Sequence, residues 1–451
     1  MPLPAEIVDY VVDFLHTDIE SLRSCTLVSK KWLPAGSFHL FSYFHWPPCD
    51  HQRTIWSRPR QPEGVCKCHL LDNSDTLEDI ASLFRACSLI SKSVRRLRIS
   101  MSWVGSDYPT VHARITTPQQ LATITDLAPQ LSTLEIHALR FVIPSPSPYL
   151  SQRRSIKTLR LVSPSSNIDF QTLSIFLSHF SSVETLSVSS MMSLQTYGAA
   201  GSLALTPFIH VNNLDFAMCA NVNKWFDFLS AVLDMPVLTS FSISPPMFEN
   251  PHSAVYETSR AALHRFLVKC SNLRSLTCYG ATSPALLSYP SACPTLREVR
   301  FVSTTSEQWN AVPGILQSQL TSAANVAVIE LACAQRVDAS NPRYRYLLLT
   351  LVDIAFKQDL GKVDWALLSA SIARLRSLRV VVRLQLVGLF STEEADPSEE
   401  TRGQNEWRKG AGAIRAGIEA FIRKQLSTTS HQNLEVDVTI LARRGMAFMP
   451  L

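Results

Sequence analysis

Glycine, charge and long apolar runs are all scarce in this chain. It has 14 glycines in 451 residues, which argues against a protein built on glycine-rich phosphate-binding turns. Gly410, Gly412 and Gly417 miss the Gly-x-Gly-x-x-Gly spacing, and no strand precedes them in a βαβ unit. Charged residues make up 18%, and 42 Lys and Arg stand against 37 Asp and Glu. The net of +5 and the pI near 8.7 fall short of the strongly basic balance of a nucleic-acid binder. The most apolar window, Tyr344–Phe356, contains Asp353 and is too short to span a bilayer.

Secretory and catalytic signals are missing as well. Residues 1–20 carry five acids, unlike a leader peptide, and no Asn-x-Ser/Thr acceptor occurs. The ten cysteines are scattered, mostly in apolar runs where small buried hydrophobes belong. A reducing cytoplasmic or nuclear compartment is expected. Cys49, His51, Cys66, Cys68 and His69 lie close together, but not with the paired spacing of zinc modules, so no metal or other cofactor is expected. There is no Gly-x-Ser-x-Gly elbow, no phosphate loop and no His-Glu-x-x-His pair. Nothing in the sequence argues for an enzyme.

What is present begins with Leu3–Phe41, which reads as three short amphipathic helices. Pro4 suits a first helical turn, and Ile7, Val8, Val11, Val12 and Leu15 form one apolar stripe. Thr17 and Glu20 have capping-box spacing for a second helix through Ile19, Leu22 and Cys25. A third run, Leu27–Trp32, is expected to end before Pro34 and Gly36. So small a unit is marginal alone and needs a surface to pack on.

From Thr76 onward a motif of the form apolar-x-x-Leu-x-apolar recurs. Its copies begin at Val94, Leu131, Ile156, Val183, Val211, Leu238, Leu273 and Leu296, at steps of 37, 25, 27, 28, 27, 35 and 23 residues. Each copy alternates like a half-buried strand, and helical patterns at Phe170–Phe180, Trp225–Leu233 and Ala261–Val268 fall between copies. Val326–Leu331, Leu378–Leu386 and Leu434–Ile440 read as further strands, and 344–358, 364–376 and Glu406–Leu426 as helices. Such units cannot bury their apolar sides alone, and stacking them gives a solenoid with parallel strands inside and helices outside. The polar motif positions would line its concave face, with Arg98, His137, Arg160, Asp215, Arg274 and Arg300 as candidate target-binding residues.

The pattern Leu3-Pro4-x-Glu6-Ile7, then Leu15, then Leu22-x-x-Cys25-x-Leu27-Val28-Ser29-Lys30-Lys31-Trp32, resembles an F-box. With the divergent leucine-rich-like repeats, the whole chain resembles a kind of F-box protein abundant in fungi. Thr17 departs from the most regular version, as do Gly36 and Ser37, where an Arg often precedes the final Leu-Phe. The resemblance implies a substrate-recognition subunit of an SCF-type E3 ubiquitin ligase. It would dock on a Skp1-type adaptor, and through it a cullin, by Leu3, Pro4, Ile7, Leu15, Leu27, Val28 and Trp32. The repeats would hold a target protein, with no nucleic acid or membrane involved. The alternative is a non-catalytic interaction scaffold outside any ligase. The expected α/β organisation is an F-box-like motif over 1–45, a Pro-rich connector over 46–75 and the solenoid over 76–390. An acidic loop over 391–405 and a helix–strand cap over 406–451 complete it.

Overall fold

A computed structural model describes residues 4–15, 18–46, 76–100, 115–137, 140–141, 153–162, 167–189, 193–195, 209–217, 222–244, 254–279, 295–303, 326–336, 361, 363–372, 377–387, 397–426, 434–444 and 447–450. The chain is α/β and divides into two compact units, Met1–Asp234 and Met235–Leu451.

The first unit opens with α1 (Ala5–Phe14), α2 (Ile19–Val28) and α3 (Leu33–Phe41). Asp18, rather than Thr17, caps α2, its carboxylate accepting from the Ser21 N–H at 3.1 Å. Ser29, with extended backbone, ends that helix, so Leu27 and Val28 are its last turn and not the start of a third. The third helix lies downstream of the expected run and contains Pro34, which sits in its first turn, where a missing N–H costs nothing. Val8, Val12 and Leu22 form the small core of these helices, with Leu15, Trp32, Ala35 and Leu40 packed around it. His39 Nε2 lies 2.7 Å from Asp13 Oδ1 and ties α3 to α1.

Next come β1 (Tyr43–Trp46), α4 (Thr76–Ala86), α5 (Ser88–Ser93), β2 (Arg96–Ser100), β3 (Ile115–Thr116), α6 (Pro118–Leu127), β4 (Thr133–His137) and β5 (Arg140–Phe141). β6 (Arg154–Val162), β7 (Asn167–Asp169), α7 (Phe170–Leu177), β8 (Phe180–Ser189), β9 (Ser193–Gln195), β10 (His210–Ala217) and α8 (Val222–Val232) complete the unit. Its main sheet is parallel, in the order β1–β2–β4–β6–β8–β10, while β3–β5 and β7–β9 form two-stranded pairs.

The register aligns the repeated motif on itself. One rung runs Phe44, Leu97, Leu134, Leu159, Leu186, Leu214; the next runs Trp46, Ile99, Ile136, Leu161, Val188, Phe216. The leucines of the first rung are fully buried. A one-residue slip would turn every one of them to the other face, so the apolar pattern fixes the register. Helices cover this apolar face. Phe84 of α4 meets Phe44 edge-on at 5.7 Å, and Trp225 and Phe226 of α8 meet Phe216 at 6.0 and 5.2 Å.

β1 falls at the junction expected to separate the helical motif from a connector. Phe41-x-x-Phe44-x-Trp46 has the same apolar-x-x-apolar-x-apolar form as the other copies. The Ser42 carbonyl accepts from the N–H groups of Arg95 (3.0 Å) and Arg96 (2.8 Å). The Arg95 carbonyl does the same for Ser132 and Thr133. Residues 41–46 are therefore the first copy of the repeat, a step of 53 residues ahead of Val94. The remainder of the connector lies outside the described residues.

The second unit contains a short 3₁₀ turn (Met235–Val237), β11 (Ser240–Ser244), α9 (Ala254–Lys269), β12 (Ser275–Tyr279), β13 (Glu298–Ser303) and β14 (Val326–Arg336). α10 (Trp365–Ile372), β15 (Ser377–Val387), α11 (Pro397–Leu426), β16 (Leu434–Arg444) and β17 (Ala447–Pro450) follow. Strands β11 to β16 are parallel in chain order, and β17 turns back antiparallel on β16. Within this unit the motif positions align as a rung through Phe241, Leu276, Val299, Ala327, Leu378 and Leu434. α11 begins at Pro397, inside the stretch expected to be an acidic loop. Proline at the first helical position and the acids Glu399 and Glu400 beside it suit the positive end of a helix dipole. The helix expected at 344–358 lies outside the described residues. No helix among those described is long and apolar enough to cross a membrane.

Candidate docking surfaces

The helical unit presents apolar side chains to solvent. α1 carries two stripes rather than one: Val8 and Val12 point inward, while Ile7, Tyr10 and Phe14, at i, i+3 and i+7, point out. One residue along a helix is a turn of about 100°, which separates Ile7 from its neighbour Val8. Tyr10 and Phe14 are 73% and 80% exposed. At the end of α2, Leu27 and Val28 are 86% and 66% exposed, and Leu33 opens α3 half-exposed. These exposed apolar groups make the helical unit the first candidate docking surface.

Of the residues expected to meet an adaptor, Pro4, Ile7, Leu27 and Val28 are exposed. Leu15 and Trp32 pack against the helical core instead, and Leu3 lies outside the described residues. Tyr10, Phe14 and Leu33 join the exposed set; the signal for Tyr10 and Phe14 was the second helical stripe starting at Ile7. Gly36 and Ser37 are buried where α3 crosses α2. A Cβ on Gly36 would come within 2.6 Å of Thr26 Cγ2, so the helices approach too closely for an arginine there.

The second surface is the polar face of the first unit's sheet. Its central row, by register, is His45, Arg98, Glu135, Arg160, Ser187 and Asp215. A row beside it holds Tyr43, Arg96, Thr133, Thr158, Thr185 and Asn213. Asn213 Nδ2 donates to Thr185 Oγ1 across two strands at 3.3 Å. His137, two residues beyond Glu135, lies on the same face.

Glu135 is 4% exposed although it stands on the polar face. Arg96 donates to its Oε1, and the Arg96 guanidinium also sits 5.0 Å from the Tyr43 ring centre. His137 Nε2 is 3.7 Å from Glu135 Oε2, too far for a hydrogen bond. Burial, then the nearby Arg98, holds the His137 imidazole down to about 4 against the opposing pull of Glu135. His45 is lowered by the same two causes in the same order. Both rings are therefore neutral at pH 7.

Arg98 and Arg160 thus flank Glu135 in the register, with His137 on the same face and Asp215 three strands along the row from Glu135. Arg300 occupies the matching row of the second unit, between Thr277 and Val328. Arg274 does not join that row. It precedes β12, where its N–H donates to Thr239 O at 2.8 Å and its carbonyl accepts from Arg297 and Glu298. The adjoining copies are held together there, and the Arg274 side chain is exposed.

Cys278 is fully buried, which pushes its thiol up to about 12 and makes it inert as a nucleophile. No group of three His, Cys, Asp or Glu side chains among the described residues is arranged to hold a metal ion. The segment with Cys49, His51, Cys66, Cys68 and His69 lies outside them. No protein-family model matches the chain, and no curated protein matches it.

Proposed function

We propose that this chain is a substrate-recognition subunit of an SCF-type E3 ubiquitin ligase. α1–α3 act as an F-box that docks on a Skp1-type adaptor and through it a cullin. The repeats form a leucine-rich-like solenoid whose polar sheet face holds the target. The observation that carries this reading is the Leu27-Val28-Ser29-Lys30-Lys31-Trp32 segment, whose Leu27 and Val28 are exposed while Trp32 anchors the turn against the helical core. The protein performs no covalent chemistry on this reading. It raises the effective concentration of the target near a separately recruited conjugating enzyme.

Leu27→Asp with Val28→Asp tests it. Burying each side chain against a partner contributes about 1.5–3 kcal/mol. The double variant should therefore lose adaptor affinity by roughly 10²–10⁴-fold, read as loss of co-purification with a Skp1-type adaptor. Retention by the double variant, or no complex with the folded unmodified chain, would overturn the proposal. A complex that never recruits a cullin would point to a scaffold outside any ligase.

A further inference from the structure

Among the described residues, the arginines on the polar face of the first unit are not all hydrogen-bonded. Arg98 and Arg160 flank Glu135 in the strand register, and Arg96 is the arginine hydrogen-bonded to its carboxylate. The Arg98 Nε is buried and has no acceptor among the described residues. The His137 Nε2 is buried as well, 3.7 Å from Glu135 Oε2 and without a hydrogen-bond partner among the described residues. The Arg98 Nε–H, a buried donor without an acceptor, loses its hydration and gains nothing in return. Among the described residues of these three strands, three guanidiniums against one carboxylate leave a surplus of two positive charges on this face, because neither His45 nor His137 is charged at pH 7.

Placement makes this surplus usable. Arg98 and Arg160 stand on either side of Glu135 in adjacent strands. At the usual strand spacing their Cα atoms are roughly 10 Å apart, within the span that two long side chains close on one anion. We infer that this face takes a single anionic group, a carboxylate or a phosphate, carried on a segment of the target protein and held between Arg98 and Arg160 with His137 beside it. The inference rests on the reading of this face as the one that holds the target. Nucleic acid fits poorly: the row continues through Ser187 to Asp215, whose carboxylate would repel the next phosphates of a polymer.

The test is fluorescence anisotropy of the full chain with short labelled peptides that carry glutamate, phosphoserine or glutamine at the same positions. The glutamate or the phosphoserine peptide should bind, more weakly as salt rises, and the glutamine peptide should not. Preference for phosphoserine assigns a phosphorylated target, and equal binding assigns an acidic one. Arg98→Gln and Arg160→Gln should each weaken binding about tenfold, the loss of one charge-assisted hydrogen bond. Arg297→Gln, in the second unit, should leave it unchanged. Arg160 is exposed, so its variant folds even if that of Arg98 is impaired. The inference fails if the anionic peptides do not bind the folded chain, or if the Arg160 variant binds them as tightly as the parent. It also fails if the glutamine peptide or a single-stranded RNA oligonucleotide binds as well. Adaptor co-purification is a separate readout, so failure here leaves the docking reading standing, and the reverse.

Discussion

Gly36 shows how one residue can set the packing of two helices. It lies inside α3, where alanine would ordinarily be favoured by about 1 kcal/mol. The added methyl would meet Thr26 Cγ2 at 2.6 Å, however, and Thr26 is a stiff β-branched side chain on α2. Overpacking of this kind typically costs about 1–3 kcal/mol. Gly36→Ala should therefore lower the thermal stability of the full chain despite its better helix propensity. Thr26→Ser removes the offending methyl and keeps the hydroxyl that donates to the Arg23 carbonyl at 2.7 Å. In combination the serine should recover most of the loss in thermal denaturation, and a double variant no more stable than Gly36→Ala would refute the contact. The sequence showed only that an arginine was absent here. The reason, a close helix crossing, belongs to residues ten positions apart and needs the fold to be seen.

Between elements, His179 ties the end of α7 to the start of α6, across an intervening repeat. It ends the segment after α7, is 5% exposed, and its Nε2 lies 3.0 Å from the Pro118 carbonyl at the start of α6. Burial holds its pKa down to about 4, outweighing the carbonyl that favours the proton. Unfolded, the ring takes up a proton near pH 6.5, whereas folded it resists until about 4. The contribution is complete above pH 6.5 and is lost as pH falls through that window, because the unfolded chain then binds more protons. The loss is on the order of 2–3 kcal/mol by the lower end. His179→Gln should flatten the dependence of the denaturant midpoint on pH between neutrality and about pH 4.5. A variant with the slope of the parent would show that another group dominates. At this scale the strands were the most legible feature, since each copy announces its own alternation. The third helix was not, because Pro34 reads as a stop unless it is recognised as a first-turn residue. β1 escaped too, because its 53-residue step hid a motif of the same form.

At the scale of the molecule, both candidate surfaces belong to the first unit, Met1–Asp234. α3 leads directly into β1, α3 packs on α5, and the Arg95 guanidinium lies 4.7 Å from the Phe38 ring centre. The helices and the sheet are thus coupled mechanically, while the residues proposed to bind on each are different. The two functions should separate by mutation. The Leu27→Asp, Val28→Asp variant should still bind the anionic peptide, and the Arg98→Gln, Arg160→Gln variant should still co-purify with the adaptor. Loss of both activities in either variant, with the fold intact by circular dichroism, would show one shared surface instead of two.

The sequence by itself determined where most strands of the repeat fall and which face of each is apolar, because an apolar position every other residue has only one face to bury. It also determined that the first forty residues are helical and rich in apolar surface. Only the tertiary structure decided which apolar side chains stay outside, since adjacent positions on a helix, such as Ile7 and Val8, face different ways. It alone gathered Arg98, Glu135, His137 and Arg160, whose meeting depends on lateral strand neighbours 25 to 37 residues apart in the chain. Alternation along a strand is a local property, and the company a charge keeps across strands is not.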